Sequence, residues 1–192
     1  TCVYTRHEIE RIVENAFVLA RLRKGKLTSV DKANVLATSR LWREVVEELK
    51  VKYPDVQVEH HLVDSVAMKL ITNPSHFDVV VTENMFGDII TDLAACTQGG
   101  LGVAAGGNLN PEGLSMFEPI GGTAPLWTGK NAINPLAAIG AGAIMLQTLG
   151  EKEAGDAIEA AIARVTPKMK SQLANEMGYT TTEVGDLVVA EL

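Results

Sequence analysis

The sequence predicts an α/β fold with a mostly parallel sheet, helices on both faces and two domains. In the first half of the chain, short runs of β-branched residues alternate with amphipathic stretches of helical period, which is typical of a parallel sheet covered by helices. After residue 98 the composition changes, and residues 99–114 hold six glycines without a long periodic run. We therefore expect one domain over residues 1–98 and a second over residues 99–192.

The spacing of apolar residues defines the elements of the first domain. Residues 8–23 form a predicted helix, and its apolar face is Ile9, Ile12, Val13, Ala16, Phe17 and Ala20. Residues 1–5, just before it, are expected to belong to a strand. The later elements are strand 26–30, helix 38–50, strand 56–63, helix 65–71, strand 77–82 and, after a turn at 82–87, a helix with Ile89, Leu93 and Cys96 on its apolar face.

The second domain has fewer marked elements. Residues 116–120 form a predicted strand that enters a glycine-containing loop. A buried helix with small residues for close packing is expected from residue 136 to about 149, because Asn134-Pro135 precedes it. Two more helices are predicted, over residues 152–164 and from residue 181 to the end.

The composition is that of a globular protein, with 46% hydrophobic and 21% charged residues. A net charge of −7 argues against a nucleic-acid partner, because no basic surface is available to neutralise phosphates. The longest apolar run, residues 136–146, is too short and too rich in glycine to span a bilayer, and no signal peptide is recognisable. Cys2 and Cys96 suggest no disulfide framework, so we expect a reducing, cytoplasmic location.

An acidic motif, residues 83–92, follows the strand predicted at 77–82. Asp88 and Asp92 are four residues apart, so a helix places both carboxylates on one face, where they repel each other. A divalent cation such as Mg²⁺ or Mn²⁺ would relieve this repulsion, since both prefer oxygen ligands. A solvated acidic face is the alternative. The position after a strand favours a ligand site.

Three predicted strands of the first domain end in polar residues. Lys32 follows the first strand, Asp64 follows the second, and the segment with Asp88 follows the third. Parallel strands end at the same edge of a sheet, so these residues are expected along one rim. Taken singly, Lys32 could be a solvated charge and Asp64 a helix N-cap.

Several blocks of the chain together resemble one enzyme family. The blocks are residues 29–36, 61–68, 84–92, 117–125 and 129–135. They resemble the β-decarboxylating dehydrogenases, the isocitrate/isopropylmalate dehydrogenase family, in their order and spacing. The form Asn-Met-Phe-Gly-Asp at residues 84–88 favours the isopropylmalate branch. The blocks match the second part of a family member, so we expect a fragment whose first domain is the later part of the dimerising, substrate- and metal-binding domain, and whose second is the later part of the cofactor-binding domain.

The resemblance implies NAD-dependent oxidative decarboxylation of a 2-hydroxy acid, with Mg²⁺ or Mn²⁺ as the metal. The implied reaction is that of 3-isopropylmalate to 2-oxoisocaproate, in leucine biosynthesis. It also implies a homodimer with shared active sites, acting on a small molecule, with no nucleic-acid or membrane partner. A tartrate or malate dehydrogenase of the same family, and a non-catalytic dimerising fragment or regulatory homologue, are the alternatives.

The same resemblance implies roles for individual residues. Lys32 and Asp64 would be catalytic and would reach into the partner's site, and Asn34 and Val35 would contact the substrate. From the residues alone, Asn34 and Val35 are equally compatible with ordinary loop and helix-start positions. The implied metal ligands are Asp64, Asp88 and Asp92.

Cofactor binding is implied for the loop that follows the strand at 116–120. The implied residues are Glu118, Gly121, Gly122, Thr123, Ala124, Pro125, Leu126 and Asn134. Gly-Gly-Thr on its own is mostly a turn, and no G-x-G-x-x-G motif is present. NAD-dependent members usually have Asp at the place of Leu126, where it accepts the adenosine ribose hydroxyls. The choice between NAD and NADP therefore stays open, with NAD favoured.

The four histidines show no spacing typical of metal ligands apart from the adjacent pair His60 and His61. Adjacent residues of a strand point to opposite faces, so this pair is not expected to bind one ion. We interpret the histidines, which also include His7 and His76, as surface or core residues.

Overall fold

The computed structural model describes residues 1–192 and divides them into two compact units, residues 1–94 and 95–192. Parallel strands and covering helices in the first unit confirm the predicted α/β class. The boundary between the units lies inside a helix, four residues before the boundary expected from composition. The assignment of domains to residues 1–98 and 99–192 stays a prediction.

Unit 1 alternates helices and strands from its first helix onward. Its elements are α1 (Arg6–Leu22), β1 (Lys26–Asp31), α2 (Ala37–Lys50), β2 (Gln57–Leu62), α3 (Val63–Thr72), β3 (Val79–Thr82) and α4 (Asn84–Thr97). A 3-10 turn, Pro74–His76, connects α3 to β3. The strand expected at residues 1–5 is wrong, because Thr5 instead begins α1 as its N-cap in a capping box with Glu8.

The three strands of unit 1 form a parallel sheet in the order β2-β1-β3. Asp31, the last residue of β1, pairs with Leu62 at the end of β2, and Val30 pairs with Thr82 at the end of β3. All three strands therefore end at one rim, and the residues that follow them in the chain begin there.

Helices cover both faces of this sheet. On one face, Leu27 packs with residues of α1 and α2, including the fully buried Phe17 and Val45. On the other face, Val30 packs with Val66 of α3 and with α4. Ile12 of α1, which was expected on the buried face, is half exposed.

Helix α4 begins earlier than the sequence predicted, and its buried face is different. The Glu83 carboxylate accepts hydrogen bonds from the backbone N–H groups of Met85 and Phe86, at 2.8 and 2.9 Å, and so caps the helix at Asn84. Glu is not among the usual N-cap residues, which is why the predicted turn ran too far. Ile90 is buried, whereas Ile89 is 62% exposed.

The predicted apolar face of α4 was therefore wrong for two of its residues, Ile89 and Cys96. Both are exposed. The buried side is formed by Ile90 together with the partly buried Leu93 and Ala94, a face rotated by about one residue, roughly 100°.

Unit 2 contains an antiparallel pair of strands and three helices. Its elements are β4 (Ala105–Asn108), β5 (Met116–Pro119), α5 (Leu136–Thr148), α6 (Lys152–Val165) and α7 (Thr181–Ala190). β4 lies in the glycine-rich segment for which no regular element was predicted. The core of unit 2 joins α5, α6 and α7 through Leu136, Ala161 and Val184. In neither unit is any helix both long and apolar enough to cross a membrane.

Candidate active site

The rim of the parallel sheet brings two of the predicted catalytic residues together. Lys32 follows β1, and Asp64 lies in the first turn of α3, directly after β2. The Lys32 Nζ is 2.8 Å from Asp64 Oδ1. The side chain of Lys32 is 24% exposed and that of Asp64 is 62% exposed, so the pair faces outward from the rim.

Buried contacts hold the backbone at Lys32 in place. The backbone N–H of Lys32 donates to Ser39 Oγ at 3.1 Å, and the buried Asp31 carboxylate accepts from the backbone of Ala33 at 2.8 Å. Arg43 of α2 donates two hydrogen bonds to Asp31, each 2.9 Å long. A bidentate pair of this kind fixes direction as well as distance. The loop that carries Lys32 is therefore anchored to α2.

The surroundings of Asp64 favour the ionised form of its carboxyl. The hydrogen bond from Lys32, followed by the backbone N–H of Asp64 itself, lowers the pKa of the Asp64 carboxyl. The N-terminal turn of α3 adds a favourable dipole for an anion. Asp64 is not the N-cap residue of this helix, because that position is Leu62.

Asp88 and Asp92 lie in the second and third turns of α4, one helical turn apart, and both are exposed. The predicted common face is thereby present. Two apolar residues, Met85 and Ile89, share it at helical spacing and are 53% and 62% exposed. The carboxylates thus stand within an open apolar stripe. Two hard oxygen donors in this arrangement suit Mg²⁺ or Mn²⁺.

Gly87 allows α4 to approach the end of β3 closely. A Cβ atom added at Gly87 would be 3.3 Å from Thr82 Cγ2, which is tighter than ordinary van der Waals contact. A glycine is therefore well suited to this position between Phe86 and Asp88. It lets the acidic face start immediately beside the rim.

The predicted substrate-contacting residues lie on the same loop as Lys32. Asn34 and Val35 are both exposed, Val35 at 64%. Val35 and Leu36 donate backbone hydrogen bonds to the Lys32 carbonyl, at 3.0 and 2.9 Å, so the loop is a compact turn. The side chains of Asn34 and Val35 are exposed at the rim, where a small molecule could contact them.

The predicted cofactor loop follows β5 in unit 2. Glu118 is partly buried in β5, while Gly121, Gly122 and Thr123 are exposed beyond its end. Ala124 has a left-handed backbone, with φ 41°. A non-glycine residue in this region costs about 1–3 kcal/mol, and such strain is concentrated at ligand clamps and active sites.

The remaining loop residues form an exposed 3-10 turn, Pro125–Trp127. Leu126 is 80% exposed, and the Lys130 ammonium lies over the Trp127 ring, 5.2 Å from its centroid. A large exposed apolar side chain beside an aromatic ring is a surface on which an adenine ring could rest.

Asn134 is placed differently from the rest of the loop. It is buried, and its amide donates to the Gln172 carbonyl and to Gln172 Oε1, both at 3.1 Å. Its Oδ1 accepts from the backbone N–H of Leu136, the first residue of α5, at 3.0 Å. The side chain is thus used inside unit 2, so a contact with a cofactor at this position would have to come from the backbone.

Sequence reasoning missed the residues that support the rim. Asp31 and Arg43 are in different elements, and Glu83 accepts a hydrogen bond from Tyr4, which lies at the other end of the unit in sequence. That hydrogen bond, together with burial, raises the pKa of Tyr4. The contacts are long-range, so no local spacing could have indicated them.

Comparison with known proteins shows the family of this chain. The sequence model of the family described as "Isocitrate/isopropylmalate dehydrogenase" matches residues 1–188. The chain belongs to the isocitrate/isopropylmalate dehydrogenase family. Relatives include the 3-isopropylmalate dehydrogenases of Bacillus thuringiensis subsp. konkukian, 49% identical over all of this chain and 54% of the relative, and of Bacillus subtilis, 48% identical over 95% of this chain and 51% of the relative.

Solved structures of the isocitrate/isopropylmalate dehydrogenase family have the same fold. An isocitrate dehydrogenase from Methylococcus capsulatus superposes with a TM-score of 0.92 at 38% identity, covering all of this chain and 57% of that one. A β-decarboxylating dehydrogenase from Thermococcus kodakarensis gives a TM-score of 0.85 at 36% identity, covering 98% and 56%. The chain spans about half the length of the curated relatives it matches.

Replacing Arg43 should destabilise unit 1 through Asp31. In Arg43→Leu the carboxylate of Asp31, 1% exposed, loses both side-chain donors, and an unsatisfied buried acceptor costs about 1–3 kcal/mol. Urea unfolding measures the loss. Arg40→Leu, one turn earlier on an exposed position of α2, is the control and should change the free energy of unfolding by less than about 0.5 kcal/mol. Equal effects of the two substitutions would contradict the anchoring role.

Proposed function

We propose that this chain carries the catalytic rim and the cofactor loop of an NAD-dependent β-decarboxylating dehydrogenase that acts on 3-isopropylmalate. The observation that carries the proposal is the contact of Lys32 with Asp64 at a rim that also begins the acidic helix α4. The names of the Bacillus relatives support the choice of substrate. A cytoplasmic place in leucine biosynthesis belongs to the same proposal.

In this reaction the 2-hydroxyl group loses its proton as C2 loses a hydride. The carboxylate on C3 then leaves as CO₂, and C3 takes up a proton in its place. The products are 2-oxoisocaproate, CO₂ and reduced cofactor. When bound, the nicotinamide would accept the hydride and the divalent cation would stabilise negative charge on the C2 oxygen. Lys32, in its neutral amine form, would take the hydroxyl proton, and Asn34 and Val35 would hold the substrate beside it.

Asp64 would have two tasks in this scheme. Its hydrogen bond with Lys32 fixes the direction of the Lys32 amino group, at an Nζ–Oδ1 distance of 2.8 Å. Its carboxylate is ionised at neutral pH, as a metal ligand must be, and the hydrogen bond from Lys32 lowers its pKa further. One carboxylate would thereby link the position of the proton acceptor to that of the cation.

A homodimer with shared sites fits the open apolar stripe on α4. Met85 and Ile89 flank Asp88, and α3 exposes Met68 and Ile71, at 63% and 72%. Exposed apolar side chains at helical spacing are typical of surfaces that another protein covers. A second copy covering these helices would bring the partner's Lys32 and the partner's Asp64 toward Asp88 and Asp92. Because Lys32 and Asp64 contact each other within one chain, both would enter the partner's site together.

Replacing Lys32 should abolish turnover and leave the fold intact. In the complete gene product, Lys32→Met should lower kcat by about 10²–10⁴, the usual effect of losing a general acid or base. Cofactor reduction and CO₂ release would be followed with 3-isopropylmalate, isocitrate, tartrate and malate. A loss of activity with no loss of stability supports the role of Lys32. Wild-type turnover in Lys32→Met, or preference for another of the four acids, would overturn the corresponding part of the proposal.

Mn²⁺ or Mg²⁺ should bind through Asp88 and Asp92. Asp88→Asn and Asp92→Asn should each weaken Mn²⁺ binding by at least about 10-fold, because each removes a charged oxygen ligand. Isothermal titration calorimetry gives the affinities. The control is Asp186→Asn, an exposed carboxylate of α7 in unit 2. Unchanged Mn²⁺ affinity in both α4 variants would place the metal elsewhere.

Leu126 should bind the adenosine ribose more weakly than an Asp at the same position would. A carboxylate accepting two ribose hydroxyls contributes on the order of 1–3 kcal/mol, so Leu126→Asp should lower the KM for NAD and raise that for NADP, whose 2′-phosphate it repels. Leu126→Asn offers an acceptor without charge and should lower the KM for NAD without penalising NADP as strongly.

Stacking on Trp127 is the rival explanation of how the loop holds adenosine. If Trp127 dominates, Trp127→Ala raises the KM for both cofactors by far more than Leu126→Asp changes either. An NAD-to-NADP preference that does not move in Leu126→Asp would show that the ribose does not lie at residue 126.

A further inference from the structure

A cluster of ionisable side chains joins β2 to the 3-10 turn that precedes β3. It consists of Glu59, His61 and His76, and it lies on the sheet face that α3 covers. Glu59 and His61 are two apart in β2 and so share a face. Glu59 Oε1 is 2.7 Å from His76 Nε2 and 3.6 Å from His61 Nε2. None of these residues takes part in the proposed dehydrogenase reaction.

The cluster is held in place by its surroundings. Thr28 of β1 donates to Glu59 Oε1 at 2.8 Å. The Phe77 ring packs edge-on against both imidazoles, with centroid distances of 6.5 Å to His61 and 5.2 Å to His76. The three side chains of the cluster are 20–24% exposed. They are ordered by packing and remain open to an ion from solvent.

Two ammonium groups contact the cluster. Lys26 Nζ is 3.3 Å from Glu59 Oε1 and 3.2 Å from His76 Nε2, and it also donates to the His76 carbonyl at 2.7 Å. Lys69 Nζ is 3.3 Å from His61 Nε2. The ligand atoms of Glu59, His61 and His76 are therefore already in contact with positive charges, those of the Lys26 and Lys69 ammonium groups.

Two of the three side chains, His61 and Glu59, are held in the ionisation state that binds a metal. Burial, and then the charge of Lys69, lowers the pKa of His61 and so favours its neutral form. Burial works against ionisation of Glu59, but the hydrogen bond from Thr28 and those from its other neighbours prevail and lower its pKa to about 2. Neutral imidazole and ionised carboxylate are the ligand forms of these groups.

We propose that Glu59, His61 and His76 form a binding site for Zn²⁺, in competition with the ammonium groups of Lys26 and Lys69. Two imidazoles and one carboxylate are a donor set that Zn²⁺ takes in proteins, with water in the fourth position. Bonds of about 2.0–2.1 Å in a tetrahedron place ligand atoms about 3.3–3.4 Å apart. The two separations from Glu59, 2.7 and 3.6 Å, bracket this value, and all three donor atoms lie within 4.8 Å of one another.

The site differs in chemistry from the acidic face of α4. Imidazole nitrogen suits Zn²⁺ and neighbouring transition metals, whereas Mg²⁺ prefers oxygen ligands alone. Lys26 can give up its contact with Glu59 and keep the His76 carbonyl as a partner. Lys69 is on α3 and only partly buried, so it can turn toward solvent. A bound ion would tie β2 to the turn before β3.

The test is calorimetric titration of Zn²⁺ into the purified protein near neutral pH, with excess Mg²⁺ present. We expect one zinc site. His61→Gln and His76→Gln should each lower the affinity for Zn²⁺ by about 100-fold or more, which exceeds the usual effect of losing a residue that only hydrogen-bonds to a ligand. The matched control is His60→Gln, because the adjacent His60 ring is on the opposite face and hydrogen-bonds to Glu47 at 2.7 Å. Co²⁺ in place of Zn²⁺ should give the visible spectrum of a four-coordinate ion.

Lys69→Gln provides a second test in which no ligand is removed. It takes away a competing charge, so it should strengthen Zn²⁺ binding several-fold. The absence of zinc binding, an equal loss in His60→Gln and His61→Gln, or weaker binding in Lys69→Gln would each overturn the proposal. Asp88→Asn should leave the zinc site unchanged, so this result is independent of the metal proposed for the dehydrogenase reaction.

Discussion

The parallel pairing of β1 with both β2 and β3 is the constraint on which unit 1 depends. The register pairs Asp31 with Leu62 and Val30 with Thr82, so three chain segments leave the sheet side by side. This pairing places Lys32 next to Asp64 and starts α4 at the same rim. A slip of one residue in either pairing would turn the following side chains to the other face. The candidate chemistry therefore rests on backbone hydrogen bonds inside the sheet.

The packing on the two faces gives the rim its stiffness. On one face α1 and α2 close a core around Phe17 and Leu27, and α2 also presents Arg43 to Asp31. On the other face α3 and α4 pack over Val30. The helices thus bury the sheet and at the same time carry functional groups, with Asp64 in the first turn of α3 and Asp88 on α4. The outer side of α4 stays exposed and carries Met85 and Ile89 beside Asp88 and Asp92.

Much of the fold was predictable from the sequence because its elements have strong local patterns. The alternation of strands and helices in unit 1 follows from apolar periodicity, and the rim follows from the rule that parallel strands end together. The failures have physical causes. Thr5 caps α1 where a strand was expected, and Glu83 caps α4 with an unusual residue type, so the predicted turn ran too far. Ile89 is apolar but exposed, so apolar spacing alone assigned it to the buried face in place of Ile90.

The supporting contacts could not be predicted at all, since they join residues far apart in sequence. The clearest cases are Asp31 with Arg43, Tyr4 with Glu83, and His61 with His76. For the histidines, the sequence spacing indicated no metal site, and only the fold brings them to Glu59. In unit 2, the loop after β5 was predicted correctly as a turn region, but the inward orientation of Asn134 depends on Gln172, in a distant segment.

The central claim is that the rim of one chain completes the acidic face of another. Mixing subunits of the complete gene product tests it most directly, using an inactive Lys32→Met dimer and an inactive Asp88→Asn dimer under conditions of proven subunit exchange. A mixed dimer then has one site with both native residues, so random exchange should restore on the order of a quarter of wild-type activity. A mixture no more active than its two parents would contradict the claim, because Lys32 and Asp88 would then not be combined from different chains.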